Sequence, residues 1–301
     1  MNKHKLKIGL ALGSGSSRGW SHIGVINALA EQGIEPDIVC GTSIGALVGA
    51  SYVCNKLDSL EKWVKSLTKF ETARFLDINT SFNGFVDTDR LHQFLNEIVA
   101  DDTMEIESAE KQFAAIATEL ETGREVWFTE GSILEAVWSS ISLPGLFPAI
   151  RNKDKWLVDG GLVNPVPVSV CRALGADIVI AVNLNGSIVG KHFIKPPVEK
   201  DNGFVSKITE LVAEYTTPIF SEKPAEEEPP NLLDAIAGSI NITQDRITRS
   251  RMAGDPPDIL LSPKLSHIGL LEFYRAKEAI EEGHKCVQRM LPEIKYVFDI
   301  N

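Results

Sequence analysis

The stretch Ile38-Val39-Cys40-Gly41-Thr42-Ser43-Ile44-Gly45-Ala46-Leu47-Val48-Gly49-Ala50 decides the fold class of this chain. Its first three residues predict a short buried strand, and the small apolar residues at its end predict a helix lying close to a sheet. Gly-x-Ser-x-Gly is a short pattern that occurs by chance, so its meaning depends on a strand before the serine and a helix after it. Both are predicted here. Ser43 is therefore a candidate nucleophile at a sharp strand-to-helix turn, where Gly41 and Gly45 relieve crowding.

The same strand, loop and helix order precedes this stretch. Residues 7–12 predict a strand, 13–19 form a loop rich in glycine and serine, and apolar residues at helical spacing follow. Further strands are predicted at 113–120, 125–128, 156–158, 178–182 and 259–261, and further helices at 133–140 and 273–290. Repetition of this unit predicts a three-layer α/β/α fold with a mainly parallel central sheet.

The loop Gly13-Ser14-Gly15-Ser16-Ser17-Arg18-Gly19 admits two interpretations. Gly13-x-Gly15 between a strand and a helix is similar to a dinucleotide fingerprint, but Arg18 stands where its third glycine belongs. The acidic residue that should end the second strand is also misplaced, because Asp37 precedes that strand. The alternative is a nest of backbone N–H groups beside a nucleophile, which forms an oxyanion hole.

A serine hydroxyl needs a base within hydrogen-bond reach. Among the six histidines, His267 in a late turn is the candidate for a hydrolase triad, although a surface turn residue is the simpler interpretation. Asp159, at the end of the predicted strand 156–158 and before Gly160-Gly161, is the other candidate. Its alternative role is to cap the glycine turn.

Four motifs in order resemble the patatin-like phospholipase family, especially its bacterial branch related to the catalytic domain of neuropathy target esterase. They are the loop 13–19 with Ser21-His22-Ile23-Gly24-Val25, the turn 41–45, Ser140-Ile141-Ser142-Leu143-Pro144 with Phe147-Pro148, and Asp159-Gly160-Gly161. The resemblance covers about the first 190 residues, and 265–276 resembles the branch's C-terminal segment.

The resemblance implies a Ser-Asp dyad in which Ser43 is the nucleophile and Asp159 the general base, without a histidine. It also implies that the oxyanion donors are the N–H groups of Gly15 and Ser16, with help from Arg18. The chain departs from the family's loop pattern, because Ser14 and Ser16 stand where glycines are usual. A serine at a position that needs positive φ would be strained.

By the same resemblance, the expected reaction is hydrolysis of a long-chain lipid ester through an acyl-enzyme. Neither a metal nor a cofactor is expected. An acyltransferase or thioesterase using the same dyad, and a regulatory member without activity, are the alternatives.

Composition narrows the partners and the location. The 301 residues carry a net charge of −11, which opposes binding to nucleic acid and leaves at most transient, apolar contact with a membrane surface. Four widely spaced cysteines suit a reducing interior, and no apolar run approaches transmembrane length, so a cytoplasmic protein is expected, peripheral at most to the inner membrane face. Nothing in the composition indicates the oligomeric state.

One enlarged domain over residues 1–301 is expected. Within it, residues 186–230 change in composition and predict a mobile surface excursion or lid, with Phe204, Ile208 and Leu211 on one face of a short helix. A plain connecting helix is the alternative.

Overall fold

The computed structural model describes residues 6–75, 92–186 and 232–299, which form helices on both faces of a central sheet. The strands are β1 (Ile8–Leu12), β2 (Ile38–Thr42), β3 (Gln112–Glu119), β4 (Glu125–Phe128), β5 (Ile150–Asn152), β6 (Lys155–Asp159), β7 (Ile178–Val182) and β8 (Ile259–Leu261). The α-helices are α1 (Ser21–Glu31), α2 (Ile44–Val53), α3 (Leu57–Ser66), α4 (Lys69–Phe75), α5 (Ile133–Ile141), α6 (Val168–Ala173), α7 (Leu232–Gly254) and α8 (Ala276–Phe298). Single turns of other helix types lie at Ser16–Trp20, Leu95–Val99, Ile106–Ser108, Gly160–Leu162 and Phe273–Arg275.

The sheet is mainly parallel, as predicted. Hydrogen-bonded neighbours follow one another in the series β5-β6-β3-β2-β1-β7-β8, and β3 also pairs with β4. From β3 to β8 every neighbouring pair is parallel, whereas β4, β5 and β6 add antiparallel pairs at the other end. The chain leaves β1 toward β2 and later returns to its other side as β7, so the loop after β1 lies at a topological switch point. Such a point is where open α/β sheets bind ligands.

Alternation along the strands produces two cores and hence three layers. Leu10 and Leu12 of β1 face a core formed with α1, α2, α3, α5 and α8, whereas Ala11 faces a second core with Val170 and Cys171 of α6. Successive side chains of a strand point to opposite faces, so a sheet covered on both faces needs apolar residues at every position. This explains why β1 and the first four residues of β2 carry no polar side chain.

The register of β3 brings the ends of two other strands together. Thr42 of β2 pairs with Ile116 of β3, and Asp159 of β6 pairs with Ala117, the next residue. β4 pairs with both of these β3 residues, so it occupies one edge, and β2 and β6 must share the other. They run in opposite directions and meet end to end. Since Ser43 follows Thr42, the sheet itself places Ser43 beside Asp159.

Four elements were not predicted from the sequence, namely β5 and the helices α4, α6 and α7. The predicted C-terminal helix is present as α8, but it begins at Ala276 rather than at 273 and extends to Phe298 rather than 290. The buried positions of α7 include Asn241, Gln244, Asp245 and Thr248. A buried face that is polar produces no hydrophobic period, so the usual signal for a helix is absent. The predicted excursion at 186–230 lies, apart from Gly186, outside the described residues.

No helix in the described ranges is both long enough and apolar enough to cross a bilayer.

Candidate active site

Ser43 lies on a strained turn between β2 and α2. Its backbone has φ 56° and ψ −125°, a conformation that non-glycine residues rarely adopt. The turn is possible because α2 lies directly against the sheet: a Cβ at Gly45 would be 2.1 Å from the Leu12 carbonyl oxygen, and one at Gly41 would be 2.4 Å from the Gly45 carbonyl oxygen. A side chain at either position would therefore push the helix away. Strain of this kind is typical of a nucleophile elbow.

Asp159 is the direct partner of Ser43. The Ser43 hydroxyl donates to Asp159 Oδ2 at 2.5 Å, and the Gly161 N–H donates to Oδ1 at 2.7 Å. Only 1% of Asp159 is exposed. The carboxylate is thus held on both oxygens, with one of them directed at the serine hydroxyl.

Burial makes this carboxylate more basic than usual. Desolvation raises the pKa of Asp159 from 3.8 to about 6, and the hydrogen bonds from Ser43 and Gly161 oppose part of that rise. A base is most useful when its pKa lies near the working pH. Asp159 therefore remains ionised at neutral pH while accepting a proton more readily than an exposed aspartate.

Ser140 holds the elbow in place from behind. Its hydroxyl accepts a hydrogen bond from the Ser43 N–H at 2.8 Å and donates one to the Ile116 carbonyl of β3 at 2.6 Å. Ser140 is fully buried, so both bonds are shielded from water. Ser140 belongs to one of the sequence motifs, but its role was not predicted. A serine within the mainly apolar helix α5 is the signal that could have indicated a hydrogen-bonding function.

The glycine loop presents two unused amides to the cleft. Gly13 N–H donates to Val182 O, and Ser14 N–H donates to Pro165 O. Among the described residues, the N–H groups of Gly15 and Ser16 donate to no acceptor, and both residues line the cleft beside Ser43. These are the amides that the resemblance assigned to the oxyanion.

Ser16 occupies the strained position that its departure from glycine suggested. Its φ is 52°, in the left-handed region, and its hydroxyl donates to the Leu270 carbonyl at 2.7 Å. That bond offsets part of the cost of a side chain in this conformation. Ser14 is not strained in this way, and its hydroxyl donates to Gln244 Oε1 at 3.1 Å.

Arg18 lies behind the loop and does not line the cleft. Its Nε donates to the Gly15 carbonyl at 3.1 Å and its Nη2 to Asn241 Oδ1 at 2.8 Å, while only 1% of the residue is exposed. Burial lowers the pKa of its guanidinium to about 10, so it is still charged at neutral pH. Its contact with the oxyanion loop is therefore through the Gly15–Ser16 peptide group, on the side away from the cleft.

His22, in the first motif, and His267, the candidate for a triad, both have other partners. The His22 ring bonds the Gly13 carbonyl at 2.8 Å, and burial lowers its pKa to about 4, which keeps it neutral. His267 bonds Glu278 at 2.6 Å, is half-exposed, and is not among the residues that line the cleft. Neither ring is bonded to Ser43, so the geometry favours the aspartate over a histidine as its base.

The cleft above Ser43 and Asp159 is largely apolar and encloses about 860 Å³ including its open mouth. Among the described residues, its polar lining consists of the two candidate residues, the loop 14–16, Thr72 and Gln244. The remaining walls are formed by Trp20, Ile44, Leu47, Trp63, Leu67, Phe94, Ile141, Leu143, Leu146, Phe147, Ile240, Leu270 and Phe273. A cleft with so few polar groups in its described lining is typical of a site for an apolar ligand.

Within the described residues no three His, Cys, Asp or Glu side chains lie together in a way that could hold a metal ion. Independence of metal remains a prediction, to be checked by assay in the presence of a chelator.

The arrangement is typical of a serine hydrolase: a serine on a strained strand-to-helix turn, a carboxylate bonded to its hydroxyl, and two amides in the same cleft that donate to no acceptor among the described residues. Comparison with known proteins agrees. Residues 10–172 match the model of the patatin-like phospholipase family. The chain belongs to this family, as its motifs suggested, and is a hydrolase of lipid esters.

Individual relatives cover the chain almost completely. Uncharacterized NTE family proteins of Mycobacterium bovis and Mycobacterium tuberculosis are each 30% identical to it, over 95% of this chain and 91% of theirs. The lysophospholipase NTE1 of Pyricularia oryzae is 29% identical over 96% of this chain, which spans only 18% of that protein.

Proposed function

We propose that this protein is a lysophospholipase or phospholipase A type lipid acyl hydrolase that uses Ser43 and Asp159 as a dyad and passes through an acyl-enzyme. The observation that carries the proposal is the 2.5 Å hydrogen bond from the Ser43 hydroxyl to Asp159 at the base of an apolar cleft. The lysophospholipase named among its relatives supports the substrate class.

The reaction follows from the positions of the groups. Asp159 accepts the hydroxyl proton as Ser43 Oγ attacks the ester carbonyl, and the resulting negative charge develops on the former carbonyl oxygen. Collapse of this intermediate breaks the bond to the leaving alcohol, which takes the proton from Asp159 and leaves an acyl-serine. Water, deprotonated by the same carboxylate, then releases the fatty acid and restores both residues.

The free N–H groups of Gly15 and Ser16 are the proposed donors to the oxyanion. They line the cleft with Ser43 and already have a fixed direction, because the amides on either side of them are bonded within the fold. Preorganised donors of this kind stabilise the transition state without reorganising during the reaction. Polar groups elsewhere in the lining are few, so the acyl chain is expected to occupy the apolar walls.

The direct test combines labelling with product analysis. A fluorophosphonate probe should label the wild-type protein and not Ser43→Ala, and wild-type protein incubated with a long-chain lysophosphatidylcholine should release free fatty acid. Absence of both labelling and release in a folded wild-type protein would refute the proposal.

The pH dependence should report Asp159. A base acts only when ionised, and its pKa is about 6, so kcat/KM should be nearly constant above pH 7 and fall as pH decreases through 6. Below that point the loss should approach tenfold per pH unit. The profile is measured with an uncharged ester substrate between pH 4.5 and 8. A curve that stays flat down to pH 4.5 would mean that Asp159 is not the base.

The apolar walls predict a preference for long acyl chains. Each methylene that enters the cleft contributes about 0.8 kcal/mol, so kcat/KM for p-nitrophenyl esters should rise by up to about fourfold per methylene until the cleft is full. Leu67→Asp places a charge on one wall and should flatten that dependence while sparing acetate and butyrate esters. Trp127→Ala, at an exposed aromatic residue outside the cleft lining, is the control and should leave the slope unchanged. Equal loss on short and long esters would assign Leu67 a structural role only.

A further inference from the structure

Helix α7 carries a buried polar face whose residues have no role in the proposed mechanism. Asn241, Gln244, Asp245 and Thr248 are each between 2% and 5% exposed, although the helix lies beyond the residues 10–172 that match the family model. Burying polar groups has a cost unless they are hydrogen-bonded, so such a face needs a purpose. Two of these side chains bond directly to the groups that hold the glycine loop.

The first connection runs through Arg18. Asn241 Oδ1 accepts from Arg18 Nη2 at 2.8 Å, and Arg18 Nε donates to the Gly15 carbonyl at 3.1 Å. The Gly15 carbonyl belongs to the same peptide group as the Ser16 N–H. A charged donor on that carbonyl polarises the peptide and strengthens the N–H as a donor on the opposite side. Asn241 thereby fixes the guanidinium that orients one of the two proposed oxyanion amides.

The second connection joins three loops at one side chain. Gln244 Oε1 accepts from the Ser14 hydroxyl at 3.1 Å and from Asn185 Nδ2 at 2.9 Å. Its Nε2 lies so near the turn after Asp159 that a Cβ at Gly161 would be only 2.4 Å away. Gln244 therefore touches the loop after β1, the loop after β7 and the turn after β6, and it lines the cleft.

The helix is itself anchored away from the site. Arg251 Nε donates to the Val163 carbonyl at 2.8 Å, and its Nη2 bonds Glu125 of β4 at 2.6 Å. Asn241, Gln244 and Arg251 are spaced by three and seven residues, which places them on one side of the helix. Helix α7 thus connects the glycine loop to the sheet and fixes the position of the loop relative to it.

We propose that α7 is a positioning element of the active site, in which Asn241 and Gln244 hold the oxyanion loop in register with Ser43 and Asp159. The proposal rests on the proposed function for its catalytic meaning. Neither residue is expected to contact the reacting atoms. Their loss should weaken stabilisation of the transition state and leave binding of the acyl chain unchanged.

Variants of similar volume provide the test. Asn241→Leu and Gln244→Met remove the bonds to the loop, Asn241→Asp retains an acceptor for Arg18, and Thr243→Ala removes an exposed hydroxyl of the same helix that bonds only within it. Titration of the active sites with a fluorophosphonate allows each rate to be expressed per functional site, so that an unfolded fraction does not lower it. We expect kcat to fall about tenfold in Asn241→Leu and Gln244→Met, which is a fraction of the 10²–10³ expected for losing a donor, with KM within about twofold. Asn241→Asp and Thr243→Ala should stay near wild type.

Hydrogen–deuterium exchange of the peptide covering residues 13–19 supplies a measurement that does not depend on activity. Exchange should accelerate in Asn241→Leu and not in Thr243→Ala. If the wild-type protein hydrolyses no ester but loop exchange is faster in Asn241→Leu, the proposed function is refuted. The conclusion that α7 holds the glycine loop in place would stand. An active enzyme whose kcat and loop exchange are unchanged in both Asn241→Leu and Gln244→Met would overturn the inference. The inference would also be overturned if Asn241→Asp lost as much kcat as Asn241→Leu.

Discussion

Ser43→Ala and Asp159→Asn are each expected to lower kcat/KM for ester hydrolysis by about 10⁴–10⁶-fold, and the double variant should be little worse than either. The two residues act as one unit, because the hydroxyl attacks only while its proton moves to the carboxylate 2.5 Å away. Asparagine preserves the shape of Asp159, and its carbonyl oxygen can still accept from the Gly161 N–H. It has no site to accept the serine proton, so the elbow should remain intact and the chemistry should stop.

The measurement is fatty acid release per folded protein, with thermal unfolding as the check on structure. His267→Ala is the matched control, because His267 is bonded to Glu278 on α8 and not to Ser43. It should retain wild-type activity. Full activity in Asp159→Asn combined with loss in His267→Ala would replace the dyad with a triad based on histidine.

Arg18→Met should lower kcat by about 10²-fold with KM little changed, at the lower end of what losing an oxyanion donor costs. Methionine fills a similar volume but removes the charge from the Gly15 carbonyl, so the neighbouring Ser16 N–H becomes a weaker and less firmly held donor. Stability should suffer much less than activity. The guanidinium is buried, and its Nη1 has no hydrogen-bond partner among the described residues, so removing it relieves a desolvation cost that offsets part of the lost hydrogen bonds.

The controls for Arg18 separate a catalytic contribution from a structural one. Arg18→Lys keeps the charge but cannot reach both the Gly15 carbonyl and Asn241 from one planar group, so its kcat should lie between those of wild type and Arg18→Met. Combining Arg18→Met with Asn241→Leu should cost little more than Arg18→Met alone, because both act through one chain of contacts. A stable Arg18→Met enzyme with undiminished kcat would remove Arg18 from the mechanism.

The parts of the site that the sequence predicts are those encoded by local pattern. A strand, a Gly-Thr-Ser-Ile-Gly turn and a helix of small residues lie together in the chain, so Ser43 could be found without the fold. Asp159 could be named because a strand ending in Asp-Gly-Gly matches a family motif. The structure brings these two side chains, 116 residues apart, into contact.

What escaped prediction depends on contacts between distant segments. The guanidinium of Arg18 could have pointed into the cleft or away from it, and only the position of Asn241, 223 residues later, decides between them. Helix α7 itself was hidden because its buried face is polar, and hydrophobic periodicity is the principal signal for a helix. Ser140 lies in a motif of the sequence, but its hydrogen bond to the Ile116 carbonyl depends on where β3 lies in the folded sheet.

Because β2 and β6 meet end to end on one edge of β3, the active site depends on the register in which β6 pairs with β3. Side chains alternate across a strand, so a slip of β6 by one residue would turn the Asp159 carboxylate to the opposite face of the sheet and present Val158 or Gly160 in its place. That alignment is the pairing of β3 with β6, in which Thr118 lies opposite Val158 and Ala117 lies opposite Asp159. An insertion or deletion of one residue within β6, which changes no reactive group, would therefore inactivate the enzyme as completely as changing the carboxylate itself.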